Sequence, residues 1–251
     1  MTTQRRLPLL YELALDELAA WLKERRQPAY RARQIFAWAY QRSAGSFADM
    51  TDLPRDLRTQ LEAAFRCGPL APRAVSQSEE TTKLLLELAD GQTIECVRIS
   101  MDGTYTACVS SQVGCTLNCR FCHTGTMRLV RNLSAGEIVG QVLGSRRELR
   151  KKIKAAAEPL ITNVVYMGMG EPMLNYDEMI KSVRLLNHHK GINIGQRHIT
   201  ISTAGEVRGI ERLAQENLQV TLAVSLHAGD NELRNRIVPL NRKYPLEILM
   251  K

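Results

Sequence analysis

The hydrophobic positions in the first quarter of the chain repeat with the period of amphipathic helices. Residues 13–26 place apolar side chains on one helical face, and residues 32–42 repeat that pattern after a proline break. Pro54 stands where a third helix begins, within residues 52–65, and the first turn of a helix favours proline. The pattern therefore predicts a small helical domain over residues 1–72.

Three aromatic side chains in this domain have two interpretations. Trp21, Phe36 and Trp38 can stack on the bases of RNA, or they can pack into the core of the domain. Because these residues recur at helical spacing, core packing is favoured.

The hydrophobic period changes after the helical domain. Within residues 81–100, two β-prone runs flank Asp90 and Gly91, a dipeptide that is a strong two-residue turn signal. We therefore expect a β-hairpin connector over residues 73–104.

From residue 105 onwards, strand patterns alternate with helix patterns. The four strand patterns are ACVSSQ, LITNVVYM, HITIS and QVTLAVS, which begin at residues 107, 160, 198 and 219. Such alternation is typical of parallel strands joined by helices, and it places the chain in the α/β class. We interpret residues 105–251 as a partial (β/α) barrel and expect its site at the C-terminal ends of the strands.

Two helix starts in this region have the sequence of a capping box. Ser134 precedes Glu137 by three residues, and Asn175 precedes Glu178 by three residues. This spacing lets the side chains accept hydrogen bonds from backbone amides of the first turn. We expect both pairs to cap the helices that follow them.

Composition restricts the class of protein further. The chain has 251 residues, of which 44% are hydrophobic, and six cysteines. It lacks an apolar run of the length that crosses a membrane, about 18 residues or more, and its N-terminus lacks the apolar core of a signal peptide. The six cysteines do not look like a disulfide framework, so we expect a cytoplasmic protein with reduced thiols and no membrane partner.

The positive charge is concentrated in one region. The formal net charge is +8, and residues 120–154 hold nine lysines and arginines against two glutamates. Such a field attracts polyanions, RNA above all. Lysine and arginine near a helix C-terminus also complement the helix dipole. For the cluster from Arg146 to Lys154, charge alone leaves both interpretations open.

Three cysteines carry the most specific chemical signal. Cys115, Cys119 and Cys122 have the spacing C-x3-C-x2-C; three thiolates hold three irons of a [4Fe-4S] cluster, and one iron stays open. An open iron that passes an electron to a bound sulfonium ion begins radical S-adenosylmethionine (SAM) chemistry. The alternative is a structural zinc site, but zinc needs a fourth ligand, and His123 sits awkwardly beside Cys122. The spacing therefore favours the cluster.

Several further motifs surround these cysteines in a fixed order. They are CVSSQVGC at residues 108–115, FCHTGT at 121–126, RNLSAGEIVGQV at 131–142, GMGEP at 168–172, ISTAG at 201–205 and VSLHA at 224–228. With the N-terminal stretch FAWAYQRSAGSFADMTDLP, they make nearly the whole chain resemble the RlmN/Cfr family of radical SAM RNA adenine methyltransferases, and its RlmN members more closely.

The resemblance implies a fold, a reaction and its partners. The fold would be a radical SAM partial barrel, and the reaction would methylate C2 of adenosine in 23S rRNA and in tRNA next to the anticodon. Adenine C2 has no lone pair with which to attack SAM, so the reaction needs a carbon radical. The resemblance further implies a [4Fe-4S] cluster and SAM as cofactors, RNA as the substrate, an electron donor such as flavodoxin, a monomer, and an accessory RNA-binding role for the N-terminal domain.

The resemblance also implies which residues contact SAM. Gly170 and Glu171 match the contact with the SAM amino group, and a carboxylate suits an ammonium partner. The other matching positions lie at two strand ends and are Ser202, Ser225, Leu226 and His227. Without the resemblance, Ser202 and His227 would simply satisfy polar groups at strand ends.

Two residues outside the cysteine triplet match catalytic positions of the family. Family members carry the methyl group on a cysteine before it adds to the adenine ring. Cys108 matches the residue that resolves the protein–RNA adduct by forming a disulfide with that cysteine, and Glu95 matches the general base that removes the C2 proton. From the sequence alone, a buried structural cysteine and an exposed strand carboxylate are the ordinary alternatives.

The chain departs from the family pattern towards its end. Radical SAM cores resemble a six-stranded partial barrel, and about four strands precede Lys251. The methyl-carrying cysteine and a late asparagine that contacts SAM would follow Lys251, so we expect a truncated chain that cannot turn over. Two alternatives stay open: a radical SAM enzyme with a non-RNA substrate, and a non-catalytic iron–sulfur RNA-binding fragment.

Overall fold

The N-terminal part of the chain is a unit of three helices, as the hydrophobic period predicts. The computed structural model describes residues 7–101, 103–152 and 161–251. The three helices are α1 (Leu15–Glu24), α2 (Tyr30–Phe36) and α3 (Arg55–Ala64). A wider helical turn over Ala37–Gln41 continues α2, so the second helix covers most of its predicted span.

The aromatic residues of this unit pack into its core. Phe36 is buried, and Trp21 and Trp38 are half-buried against the same core. The Trp21 ring meets Phe65 edge-on at 5.2 Å, and Trp38 Nε1 donates a hydrogen bond to Asp52 at 2.7 Å. The predicted core packing is therefore confirmed for all three aromatic residues.

The strands of the described residues form two sheets. They are β1 (Pro72–Gln77), β2 (Thr81–Glu87), β3 (Thr93–Met101), β4 (Thr104–Cys108), β5 (Gln112–Val113), β6 (Arg131–Asn132), β7 (Asn163–Tyr166), β8 (Ile199–Thr203) and β9 (Thr221–Val224). β5 and β6 pair with each other, and the other seven form one sheet in chain order. β1 to β4 are antiparallel neighbours, whereas β4, β7, β8 and β9 are parallel. These four parallel strands are the four that the sequence predicts.

The predicted hairpin forms, and it belongs to the same sheet. β2 and β3 meet at Asp90 and Gly91, where the Gly91 amide donates to the Leu88 carbonyl at 3.0 Å. β3 then pairs with β4, with Val97 opposite Cys108. An isolated two-stranded hairpin is only marginally stable in water. Pairing with β4 makes this hairpin part of the large sheet and so stabilises it.

Five α-helices follow the N-terminal unit in the described residues, and the first two pack on one face of the large sheet. They are α4 (Ala135–Lys152), α5 (Tyr176–Asn187), α6 (Val207–Ala214), α7 (Asn231–Ile237) and α8 (Leu246–Leu249). Cys96 and Tyr166 are fully buried on the helix side, where Tyr166 is hydrogen-bonded to Ser182 of α5 at 2.6 Å. Among the described residues, no helix combines the length and the apolar character that a membrane crossing requires.

The opposite face of the sheet is more open. One register row across it contains Lys83, Val97, Cys108, Val165 and Thr200, which stand beside one another on neighbouring strands. These side chains are half-buried or exposed, in contrast to their buried neighbours along each strand. A ligand can therefore approach the sheet from this face.

One of the two predicted capping boxes is confirmed. The Ser134 amide donates to Glu137 Oε2 at 3.0 Å, and the Glu137 amide donates to Ser134 Oγ at 3.2 Å, at the start of α4. The second prediction is wrong. Asn175 Nδ2 donates to the carbonyls of Ser111 and Leu133 at 2.8 Å each, instead of capping α5.

Glu178, the other half of that predicted box, also bonds elsewhere. Its Oε2 accepts a hydrogen bond from the Ala135 amide, the first residue of α4, at 2.6 Å. The free amides at a helix start attract a carboxylate from any direction. Here the carboxylate at the start of α4 comes from Glu178 of the neighbouring helix. The spacing of residues along the chain does not predict this contact between helices.

The basic residues of α4 hold the N-terminal unit. Arg146 Nη1 donates to the Tyr40 carbonyl at 3.2 Å, and Arg150 donates to the Gln41 and Arg42 carbonyls at 3.0 and 3.3 Å. These carbonyls end the second helix, where cations complement the helix dipole. Arg146 and Arg150 thus complement the end of the second helix instead of the end of their own helix, and Lys154 lies outside the described residues.

Candidate active site

The cysteine loop projects from a short ribbon beyond the end of β4. β5 and β6 pair through Gln112 opposite Asn132 and Val113 opposite Arg131, and residues 114–130 form the loop between them. The Gln112 side chain strengthens the ribbon, because its Nε2 donates to Asn132 Oδ1 at 2.8 Å. The ribbon thus gives the loop a fixed base at the C-terminal side of the sheet.

The loop and three strand ends enclose one cavity of about 430 Å³. This volume lies within the range of roughly 300–1,000 Å³ that is usual for small-molecule sites. The sequence-predicted residues that line it are Cys115, Cys119, Cys122, Gly170, Glu171, Ser202, Ser225 and His227. The structure therefore brings together eight of the eleven candidate site residues.

The three thiols are held in a partly apolar environment. Burial raises the pKa of Cys115, and it raises the pKa of Cys119 to about 11, with the nearby Cys115, Cys122 and Glu171 charges adding to the Cys119 shift. Metal binding requires thiolates, so a bound cation would have to reverse these shifts. Three soft sulfur donors on one cavity wall fit the ligand set of an iron–sulfur cluster.

Binding of a single metal ion differs from binding of a cluster, because all of its ligands must converge on one point. In the described part of the chain, no group of three His, Cys, Asp or Glu residues is arranged to hold one metal ion. The cysteines are all unbridged.

Glu171 is buried and its carboxylate joins two strand ends. Oε2 accepts from the Ala204 amide at 2.8 Å, and Oε1 accepts from the Met173 amide at 3.1 Å. Burial raises the pKa of Glu171, and the Ala204 amide is the largest opposing influence. Each oxygen can accept more than one hydrogen bond, so the carboxylate can still receive an ammonium group from a ligand.

Gly170 is required by its contact with β5. It adopts a φ of +98°, and a Cβ at this position would lie 2.5 Å from Cβ of Gln112. Gln112 Oε1 also accepts from the Glu171 amide at 2.9 Å. Glycine here thus lets the loop after β7 pack tightly on the base of the cysteine loop, in addition to lining the cavity.

The two serines lie side by side at the ends of β8 and β9. Ser202 Oγ and Ser225 Oγ are 3.3 Å apart, and the Ser225 amide donates to the Thr203 carbonyl at 2.8 Å. Leu226 is not among the described residues that line the cavity. Its carbonyl accepts a hydrogen bond from Arg234 Nε at 3.1 Å.

His227 connects the end of β9 to the cysteine loop. It has a φ of +60°, and its ring lies 3.8 Å from the Phe121 ring, measured between centroids. Both residues line the cavity, and Phe121 is 50% exposed. This pair presents an apolar, aromatic surface to a ligand between the cysteine loop and β9.

Cys108 and Glu95 do not line the cavity in the described part of the chain, but both are on the open face of the sheet. Cys108 lies in the register row described above, and burial raises its pKa. Glu95 is opposite Leu85 on the neighbouring strand, and its carboxylate pairs with Lys83 at 3.0 Å. Glu95, which the resemblance predicts as a general base, is therefore half-exposed and has a cationic neighbour.

Several residues that build the site were not among the candidate site residues. Gln141 of α4 and Gln112 hold the backbone of the SSQ segment and of Glu171. Arg234 of α7 reaches the ends of β8 and β9. Gln112, Gln141 and Phe121 lie within the quoted motifs, which could have identified them, whereas Arg234 lies outside every motif.

Comparison with known proteins places this arrangement in a class. Residues 109–251 match the family described as the Radical SAM superfamily, and residues 9–66 match the family described as the ribosomal RNA large subunit methyltransferase N-terminal domain. A crystal structure of a radical SAM methyltransferase from Sphaerobacter thermophilus superposes with a TM-score of 0.91 at 46% identity, covering 97% of this chain and 70% of that one. The chain is thus a radical SAM protein.

Relatives with assigned names identify a family within the radical SAM superfamily. A "Probable dual-specificity RNA methyltransferase RlmN" from Syntrophomonas wolfei is 52% identical over 96% of this chain and 69% of its own length. The "Dual-specificity RNA methyltransferase RlmN" from Geobacter sulfurreducens is 46% identical over 95% of this chain and 63% of its own length. The chain belongs to the RlmN family of radical SAM methyltransferases and spans about two thirds of the length of these relatives.

Proposed function

We propose that this protein is an RNA methyltransferase that places a methyl group on C2 of adenosine in 23S rRNA and in tRNA next to the anticodon. The observation that carries the proposal is the single cavity shared by three loop cysteines and the ends of β7, β8 and β9. The names of the relatives support RNA as the substrate. The adenine-C2 target and the methyl-cysteine route rest on the motif resemblance.

The three loop cysteines would hold a [4Fe-4S] cluster. Cys115 and Cys119 are buried and Cys122 is half-buried, so two of the thiolates would be shielded from water. Such a cluster supplies an electron to bound SAM, which opens radical chemistry at a carbon that cannot attack SAM directly. The protein's own part is to hold three thiolates on one wall and to leave the rest of the cavity for the cosubstrate.

The opposite wall would position SAM. Glu171 offers a buried carboxylate for the amino group, and the neighbouring Ser202 and Ser225 hydroxyls offer hydrogen bonds. The Phe121 and His227 rings form an aromatic surface on which a flat base can stack. These residues come from the cysteine loop and three different strand ends, so binding would bring all of them into one arrangement.

The open face of the sheet would receive the RNA base. Cys108 and Glu95 lie on this face, consistent with the roles of resolving cysteine and general base that the resemblance implies. A target adenine inside a stacked RNA would have to be turned out to reach this face. Lys83 Nζ lies 3.0 Å from Glu95 Oε1 and would orient this carboxylate on the open face.

The N-terminal unit would contact RNA through exposed guanidinium groups. Arg25 stacks on Trp21 at 3.9 Å, and Arg42 stacks on Trp38 at 4.1 Å. Stacked arginines are well suited to phosphate and base contacts. The match of residues 9–66 to a ribosomal RNA methyltransferase domain supports this role.

The first test measures SAM cleavage. Anaerobically reconstituted protein is mixed with SAM and a reductant, either dithionite or reduced flavodoxin, and 5′-deoxyadenosine is quantified. We expect product from the wild type, none above background from Cys119→Ala, and wild-type yield from Cys67→Ala, whose thiol is outside the cavity. Equal yields from Cys119→Ala and the wild type would contradict the proposal.

The second test separates RNA from other substrates. Of the six cysteines, none occupies the methyl-carrying position of the family, so we expect these 251 residues alone to cleave SAM without methylating adenine. Fusion to the C-terminal segment of the Geobacter sulfurreducens relative should restore 2-methyladenosine in 23S rRNA. Glu95→Gln should then abolish that product and leave SAM cleavage intact. If the fusion is active and its Glu95→Gln variant gives the same yield of 2-methyladenosine, Glu95 is not the general base.

A further inference from the structure

Arg234 in α7 is the largest fully buried side chain of the described residues. Its side chain has 0% exposure, and its guanidinium donates three hydrogen bonds. Nε donates to the Leu226 carbonyl at 3.1 Å, Nη2 to the Ala204 carbonyl at 2.6 Å, and Nη1 to Asn241 Oδ1 at 2.6 Å. All three acceptors are neutral oxygens.

The charge of Arg234 has no carboxylate partner among the described residues. The ion pairs found there involve other cations, and the acceptors of Arg234 are two carbonyls and one amide. Arginine is almost never fully buried without an anion, because removing its charge from water is costly. An anion next to the guanidinium would therefore stabilise this buried charge.

The cysteine loop is the neighbour that can supply this anion. Cys119 packs with Ala204 and Val238, which flank the Arg234 guanidinium and the end of α7. The Arg120 amide, next to Cys119, donates to the Ile237 carbonyl of α7 at 2.9 Å.

Arg234 also joins the two strand ends that line the cavity. Its bond to Ala204 reaches the turn after β8, where Glu171 is anchored by the Ala204 amide, and its bond to Leu226 reaches the turn after β9. One side chain thus contacts both turns and lies beside the cysteine loop.

We infer that Arg234 is a positioning residue that supplies the positive charge beside Cys119 and fixes the cysteine loop against the ends of β8 and β9. This inference rests on the proposed cluster. A cluster with three thiolates is anionic and gains one negative charge on reduction, so a nearby buried cation stabilises its reduced form. Arg234 therefore raises the reduction potential of the centre.

The test is a redox titration of the reconstituted full chain, followed by electron paramagnetic resonance. Arg234→Gln keeps hydrogen-bonding groups and removes the charge. We expect its midpoint potential to be more negative by at least a tenfold change in the reduction equilibrium, about 59 mV for one electron. Arg234→Lys keeps the charge and should stay near the wild-type potential.

Two control variants test whether the shift in midpoint potential is specific to Arg234. One removes a different buried arginine, and the other removes an exposed arginine of the same helix. Arg98→Gln removes another buried arginine that bonds neutral oxygens of Ser145 and Thr82 on the helix side of the sheet. Arg236→Gln removes the same charge from an exposed position of α7. We expect both to titrate like the wild type. A folded Arg234→Gln protein at the wild-type potential, or an equal shift in Arg98→Gln, would overturn the inference.

A second variant decides the matter if Arg234→Gln does not fold. Asn241→Asp leaves the arginine in place and sets a carboxylate at the 2.6 Å contact with its guanidinium. It should shift the potential in the same negative direction, and an unchanged potential would overturn the inference. A wild-type chain that binds no cluster would contradict the proposed function and this inference together, whereas an unshifted Arg234→Gln contradicts only the inference.

Discussion

The Gln141 side chain satisfies both backbone polar groups of Ser110. Its Oε1 accepts from the Ser110 amide at 2.8 Å, and its Nε2 donates to the Ser110 carbonyl at 2.9 Å, with both residues fully buried. Ser110 Oγ in turn donates to the Glu95 carbonyl at 2.6 Å and accepts from the Met169 amide at 3.0 Å. This pair therefore ties α4, β3 and the loop after β7 to the segment that leads into the cysteine loop.

Replacing Gln141 with leucine should destabilise the protein. The substitution leaves a buried amide and a buried carbonyl unpaired, and each such group costs about 1–3 kcal/mol. Urea denaturation should show a loss of about 2–4 kcal/mol in the free energy of unfolding. Gln60→Leu on the exposed side of α3 serves as the control and should change it by about 0.5 kcal/mol or less. A similar small change for Gln141→Leu would contradict the structural role.

Adding a methyl group at Gly170 should weaken SAM binding. The Cβ of Gly170→Ala would meet Gln112 at 2.5 Å, and the residue would keep an unfavourable positive φ. The loop after β7 must then shift and carry Glu171 with it. Equilibrium dialysis with SAM should show weaker binding by roughly tenfold or more, which is about 1.4 kcal/mol.

Gly229→Ala is the matched control for this experiment. A Cβ at Gly229 would meet nothing within 4 Å, so binding should stay at the wild-type level. If Gly170→Ala bound SAM as well as Gly229→Ala does, the contact with Gln112 would not govern the position of Glu171.

Asp90 should contribute stability only above acidic pH. Arg131 Nε donates to Asp90 at 2.7 Å, and this hydrogen bond holds the pKa of Asp90 below its ordinary value. The native state then keeps the carboxylate charged where the unfolded chain takes up a proton. Stability from Asp90 is therefore present above the unfolded pKa, about 3.9, and is lost as pH falls through the lower native pKa.

Asp90→Asn measures this contribution directly. At pH 7 it should cost no more than about 1 kcal/mol, because the Asp90 side chain is 38% exposed. Urea unfolding at pH 7 and below pH 4 should show that the difference from wild type shrinks on acidification. Glu79→Gln in the exposed turn before β2 controls for the loss of any one carboxylate. A difference that grows at low pH would be the wrong sign for this ion pair.

Arg150 should hold the N-terminal unit to α4. Its guanidinium contacts the carbonyls of Gln41 and Arg42 at the end of the second helix. Arg150→Met removes these bonds, so limited proteolysis between the unit and the sheet should become faster. Lys151→Met on the same helix, whose lysine pairs with Glu148, should leave the cleavage rate unchanged. Equal rates for the two variants would show that the docking does not depend on Arg150.

The sequence predicts the elements better than it predicts their contacts. The four parallel strands, the hairpin and the Ser134 capping box follow from local periodicity and turn chemistry, and the structure contains all of them. Asn175 and Glu178 have the same local spacing as Ser134 and Glu137, yet they bond to the cysteine ribbon and to α4. Local spacing cannot reveal a stronger distant acceptor or donor.

The same difference between local sequence signals and distant contacts applies to the site. Motif residues such as Cys119, Glu171 and Ser202 are visible because their order along the chain is specific, and they meet at one cavity. Arg234 lies outside the motifs, and Gln141 lies inside one that assigns it no role, so only their contacts with Ala204, Leu226 and Ser110 give them a role. Such supporting residues become predictable only after the strand order is known.

The most direct measurement of the central claim is the response of the reconstituted metal centre to SAM. The full chain is rebuilt anaerobically with iron and sulfide, reduced, and examined by electron paramagnetic resonance before and after SAM is added. The account predicts an iron–sulfur signal that depends on Cys115, Cys119 and Cys122 and that changes when SAM binds. A centre that takes up zinc, or an iron signal that SAM leaves unaltered, would contradict it.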